Sequence, residues 1–113
     1  MNKHAENLTN EMDQLLGELK HCLLEIYGNN LRGLYLYGSR ARQEGVTGSD
    51  VDVIIVLKEF DKYWTEVQRT SHIISNLSLK YGVSISPVRV RETDWLSADS
   101  PFLNIVRSES IAA

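Results

Sequence analysis

The stretch Asp50-Val51-Asp52-Val53-Ile54-Ile55-Val56-Leu57 decides how this chain is read. It is dense in β-branched aliphatic residues, the composition of a strand. Residues two apart on a strand share a face, so the carboxylates of Asp50 and Asp52 stand on one side, about 6 to 7 Å apart. Two like charges at that separation repel by on the order of 2 kcal/mol at an effective dielectric near 20. A strand has no structural need of such a pair. A divalent cation between them removes the repulsion, and Mg²⁺ takes one or two carboxylates together with substrate phosphate oxygens. Val51, Val53, Ile55 and Leu57 face the other way, toward a helix.

Working outward, residues 31–37 (Leu-Arg-Gly-Leu-Tyr-Leu-Tyr) read as a second buried strand. Before it, Leu8, Met12, Leu15, Leu16, Leu19, Leu23 and Ile26 recur at three- and four-residue steps, predicting an amphipathic helix over residues 6–27 that stops at Gly28-Asn29-Asn30. Downstream, a helix is expected from about Lys62 to Tyr81. Asp61 is its expected cap, Trp64, Val67, Ile74 and Leu77 its inner face, and Gly82 its end. Residues 83–90 read as a third strand, with Pro87 placing it at an edge or a bulge. Ser100-Pro101 has the form of an N-cap followed by proline at the first helical position, opening a short helix that carries Phe102, Leu103, Ile105 and Val106. The order helix, strand, loop, strand, helix, strand, helix predicts an α/β domain, a short mixed sheet with helices packed on it, spanning residues 1–113 as one unit.

Composition agrees. The chain has 113 residues, 42% hydrophobic and 24% charged, the balance of a soluble globular domain. Twelve Lys and Arg against fifteen Asp and Glu give a net charge of -3, which argues against a basic nucleic-acid-binding surface. The single cysteine makes no internal disulfide, and no Cys/His cluster suggests zinc. No apolar run is long enough to span a bilayer, and the polar N-terminus is not a signal peptide. The expectation is a small cytoplasmic protein.

The segment between the two strands carries the chemistry. Gly38-Ser39 ends the first strand, where glycine lets the backbone approach a ligand closely. A short helix begun at Ser39 would aim free backbone N–H groups at an anion, and Arg40 and Arg42 add charge suited to phosphate. One end of the segment grips phosphate and the other holds metal, which together describe a nucleoside triphosphate site. Gly-Ser, ten residues, then Asp-x-Asp arises by chance in about one chain per thousand of this length.

Gly38, Ser39, Asp50 and Asp52 form the pattern Gly-Ser-x10-Asp-x-Asp, and here the chain resembles the minimal nucleotidyltransferases of the DNA polymerase beta-like superfamily. Its size is similar to that of the antitoxins of this group that pair with HEPN-domain toxins. The resemblance implies a polymerase beta-like fold and ATP as substrate. It further implies that Gly38 and Ser39 hold the triphosphate, with Arg40 and Arg42 supporting it, and that Asp50 and Asp52 bind Mg²⁺ and are catalytic. AMP would pass to a tyrosine hydroxyl of the toxin, silencing it. Two positions depart from the pattern. Gln43 stands where glycine commonly follows the second arginine. The strand over residues 83–90 carries no Asp or Glu, although larger superfamily members place a third acidic residue there. Ser84 and Ser86 are the positions where it is expected, and Glu92 and Asp94 just beyond are the candidate substitutes.

Two rivals stand beside this reading. In one, the chain neutralises a toxin by covering it, with a vestigial nucleotide site. In the other, it transfers a nucleotide to a small molecule or RNA, against which the acidic balance and small size count. The remaining polar and aromatic residues have structural readings. Cys22 borders the apolar face of the first helix. His4, His21 and His72 lie at no metal-ligand spacing. Trp64 and Trp95 are expected in the core, Tyr35 and Tyr37 flank the candidate site, and Tyr37 belongs either to the core or to the lining of the nucleotide pocket. Arg89, Arg91 and Arg107 are expected on a solvated face.

Overall fold

The computed structural model describes residues 3–38, 50–97 and 100–113, with side chains from Glu11 onward. Helix α1 (Lys3–Tyr27) turns through a 3-10 segment (Gly28–Asn30) into strand β1 (Leu31–Tyr37). Strand β2 (Val51–Leu57), helix α2 (Tyr63–Tyr81) and strand β3 (Ile85–Arg91) follow. Helices α3 (Glu92–Leu96) and α4 (Pro101–Glu109) and strand β4 (Ile111–Ala112) complete the order. The four strands form one sheet in the order β3-β2-β1-β4. β2 runs antiparallel to β1 and parallel to β3, so the sheet is mixed, as the element order predicts. The two elements not foreseen, α3 and β4, have five and two residues, too few for a periodicity to register.

β2 is buried on both faces. Val51, Val53, Ile55 and Leu57 pack with Leu34 and Leu36 of β1 against Leu15, Leu16, Leu19 and Leu23 of α1 and Leu77 of α2. Ile54 and Val56 point to the opposite face, where they meet Trp95 of α3 and Val106 of α4, with Tyr35, Tyr37, Val88, Val90 and Leu103 partly buried around them. Each such aliphatic side chain contributes about 1.5–3 kcal/mol on leaving water. The Tyr35 and Trp95 rings stack with centroids 4.7 Å apart, and Trp95 is buried, as expected.

α2 differs in detail from its predicted form. Its N-cap is Lys62, with no side-chain cap bond, so Asp61 does not cap it. Trp64 is 67% exposed. The stripe that meets the sheet centres on Thr70 and includes Glu66, Ile73, Ile74 and Leu77. At about 100° per residue, Trp64 lies some 120° away from it. Polar residues sit on this inner stripe because each finds a partner. Tyr27 Oη donates to Glu66 Oε1 at 2.8 Å, and Arg69 Nη1 donates to the same oxygen at 3.3 Å. Arg89 Nη2 donates to Thr70 Oγ1 at 2.6 Å. Arg89 is therefore buried under α2, not on a solvated face, and Arg91 is half-buried with its guanidinium on the Phe60 carbonyl. Arg107 lies elsewhere, half-buried on α4.

The ends behave as the local chemistry requires. Gly82 terminates α2 in the left-handed region (φ 65°) with its N–H on the Ser78 carbonyl. Ser100 Oγ accepts from the Leu103 N–H at 3.2 Å and Pro101 opens α4. β3 is an edge strand. The Arg89 N–H points outward, donating to Tyr63 Oη at 3.1 Å. Pro87, two residues earlier, faces the same way, so its missing N–H costs no ladder bond. No helix among the described residues is long and apolar enough to cross a membrane.

Candidate active site

The site forms where β1 ends and β2 begins. Asp50 is exposed immediately before β2, and Asp52, half-buried, is the second residue of that strand. The side-chain alternation puts Asp52 on the face of Ile54 and Val56. Across the sheet its neighbours are Tyr37 of β1 and Ser86 of β3. Gly38 follows Tyr37 with φ +79°, and a Cβ there would stand 2.8 Å from Asp52 Oδ2. The backbone angle favours glycine here, and any Cβ would push the Asp52 carboxylate aside. The two ends of the motif, fourteen positions apart in the chain, thus meet at Gly38 and Asp52. Ser39, Arg40, Arg42 and Gln43 lie outside the described residues.

Electrostatics at the meeting point follow from the geometry. Burial pushes the Asp52 carboxyl above its ordinary value, and the negative charge of Asp50 adds to the rise. Burial, then the charge of Asp52, then Tyr63 push the Tyr37 hydroxyl up. The charge of Asp50 is thus felt at Asp52, the repulsion that the spacing predicts. Two carboxylates of which one is raised by its neighbour's charge form a donor set that suits a hard divalent cation, which would relieve the cost.

Among the described residues, no further carboxylate stands beside Asp52. The β2–β3 register pairs Asp52 with Ser86, and the Val51 N–H donates to the Ser84 carbonyl at 2.7 Å just before β3 begins. Ser86, not Ser84, therefore stands beside Asp52. Glu92 does not substitute. It lies six residues beyond Ser86, about 20 Å along the strand direction, and its carboxylate faces Arg32 at 3.7 Å. Asp94 lies farther along, in α3. Among the described residues, no group of three or more His, Cys, Asp or Glu side chains is placed to hold a metal ion. The choice between Ser84 and Ser86 rests on strand register, which no local pattern in the sequence reveals.

The site and the mixed sheet around it define a class. The sequence profile of the Polymerase beta, Nucleotidyltransferase family matches residues 19–97, and the chain belongs to that family as a minimal nucleotidyltransferase. The matched region contains the whole Gly38–Asp52 segment. Two proteins of Methanocaldococcus jannaschii are similar to it. "Putative protein adenylyltransferase MJ0141" is 36% identical over 83 residues, covering 74% of this chain and 83% of that protein. "Putative protein adenylyltransferase MJ1305" is 31% identical over 88 residues, covering 77% of this chain and 57% of that protein. A Sulfolobus solfataricus chain described as a "putative nucleotidyltransferase" aligns in space over 90% of this chain and 84% of its own, with a TM-score of 0.46 and 16% identity.

Proposed function

We propose that this chain is an antitoxin that transfers AMP from ATP to a hydroxyl, a tyrosine hydroxyl by our reading, of a partner HEPN toxin and so neutralises it. The observation that carries the transferase part is the meeting of Gly38 with Asp52, with Asp50 beside them, in a chain whose similar proteins bear the name protein adenylyltransferase. The acceptor hydroxyl attacks the α-phosphorus as the bond to the leaving pyrophosphate breaks, and the hydroxyl proton passes to solvent. Gly38 and Ser39 offer backbone N–H groups to the triphosphate. Arg40 and Arg42 pair with its β- and γ-phosphates. Asp50 and Asp52 would hold Mg²⁺, which when bound neutralises charge on the triphosphate and the departing pyrophosphate. The similar proteins bear the name protein adenylyltransferase, which favours a protein as acceptor. The setting of the reaction is the cytoplasm.

The deciding experiment is incubation with α-labelled ATP and Mg²⁺, with and without the protein encoded by the neighbouring gene, read by intact mass. One or more AMP adducts on the partner are expected. Label appearing on RNA or a small molecule, with none on protein, would sink the protein-acceptor reading. One observation favours a second reading: Ser86 occupies the place beside Asp52 where a further carboxylate would lie. In that reading the chain neutralises its partner by complex formation, and an Asp50→Asn/Asp52→Asn double variant would still neutralise it.

A further inference from the structure

We infer that Ser86 limits this site to a single divalent cation, and that one substitution there, Ser86→Asp, suffices to build a second cation position. The inference rests on the proposal that Asp50 and Asp52 hold the first.

β3 lies parallel to β2 with Val51 opposite Ile85, Asp52 opposite Ser86 and Val53 opposite Pro87. Adjacent strands are about 4.8 Å apart, and paired residues project to the same face. Val88 and Val90 confirm the parity, since they join Ile54 and Val56 in the second apolar cluster. Ser86 is therefore the residue of β3 whose side chain shares both level and face with Asp52. It is half-buried. Its short hydroxyl carries no charge, and two cations held close together repel strongly unless carboxylates bridge and flank them. Asp50 and Asp52 bring two negative charges, enough beside a triphosphate for one cation. No other described acid reaches the place, since Glu92 is turned to Arg32 at the opposite end of β3. Among the described residues, Ser86 is thus the one position of β3 level with Asp52 and on its face where a further carboxylate would stand.

The test is electron paramagnetic resonance of Mn²⁺ titrated into the full chain with an ATP analogue that cannot be cleaved between the α- and β-phosphates. The wild type is expected to bind about one Mn²⁺ per chain, with the spectrum of an isolated ion. Ser86→Asp is expected to bind about two, with the exchange-coupled spectrum of ions about 3.5–4 Å apart. Ser86→Glu serves as the second variant should Asp fold poorly, and Mn²⁺ should raise the melting midpoint of either variant more than that of the wild type. Two coupled ions in the wild type, or one isolated ion in both folded variants, would overturn the inference while leaving the transferase reading intact. No Mn²⁺ bound by the wild type would overturn both, and the two failures are thereby told apart.

Discussion

At Gly38 a single hydrogen in place of a methyl group lets the chain turn over the Asp52 carboxylate. Gly38→Ala combines a φ of +79° with a Cβ 2.8 Å from Asp52 Oδ2. We expect it to destabilise the fold by about 1–2 kcal/mol and, by displacing Asp52, to slow AMP transfer at least about tenfold; urea unfolding and the labelled-ATP assay read the two effects separately. Asp50→Asn and Asp52→Asn should each lower transfer by about 100-fold or more with the fold retained, and undiminished transfer in either would refute the cation assignment. The pH dependence follows from the sign of the Asp52 shift. Its carboxyl titrates above the ordinary 3.8 in the folded chain, so the folded state binds that proton more tightly than the unfolded one. The stabilisation is fully present below the ordinary value and is lost as pH rises through the raised one. The melting midpoint of the cation-free protein should carry this slope in the acid range. Asp52→Asn should remove it and melt higher than the wild type at pH 7.

At the scale of elements, α2 and β3 are joined by polar contacts where an apolar seam was expected. Glu66, Thr70 and Arg89 are all buried, and the Arg89 guanidinium relies on Thr70 Oγ1 and the Pro87 carbonyl, with its Nε buried and unpartnered. Thr70→Val keeps the shape and removes the acceptor. It should cost about 1–3 kcal/mol, the penalty of a buried donor left without its partner. Measured by urea unfolding in a double-mutant cycle with Arg89→Met, most of that cost should vanish once the guanidinium is gone. These residues were not legible as core because hydropathy marks Glu, Thr and Arg as surface, and only the partners on α1, α2 and β3 reverse that. Trp64 errs in the opposite direction: an apolar residue at a plausible step, but about 120° from the buried stripe.

Across the whole molecule the sheet is the common wall of two cores, α1 and α2 on one side, α3 and α4 on the other. Asp52 belongs to the second face, so the fold that buries Val53 and Ile55 under α1 and α2 also aims the carboxylate away from them. Ile55→Ala should cost about 2–5 kcal/mol by leaving a cavity at the centre. Because Ile55 lies on the other face and three residues from Asp52, residual folded protein should keep its Mn²⁺ count. Calorimetric melting with and without Mn²⁺ checks both.

Strands β1 and β2 and the glycine stop of α2 were readable because they depend on neighbours along the chain: β-branched runs extend and glycine closes, whereas β3 begins two residues later than the expected 83–90. The spacing of Asp50 and Asp52 was readable in the same way, since strand periodicity alone puts two residues that are two apart on one face. What the sequence did not contain in local form is pairing between distant strands. That β3 lies parallel to β2 with Ser86 level with Asp52, and that Arg89 is satisfied beneath α2, result from contacts between residues some 19 to 34 positions apart. Their energy exists only when the elements pack, which is why the place of the missing carboxylate could be seen only in the assembled sheet.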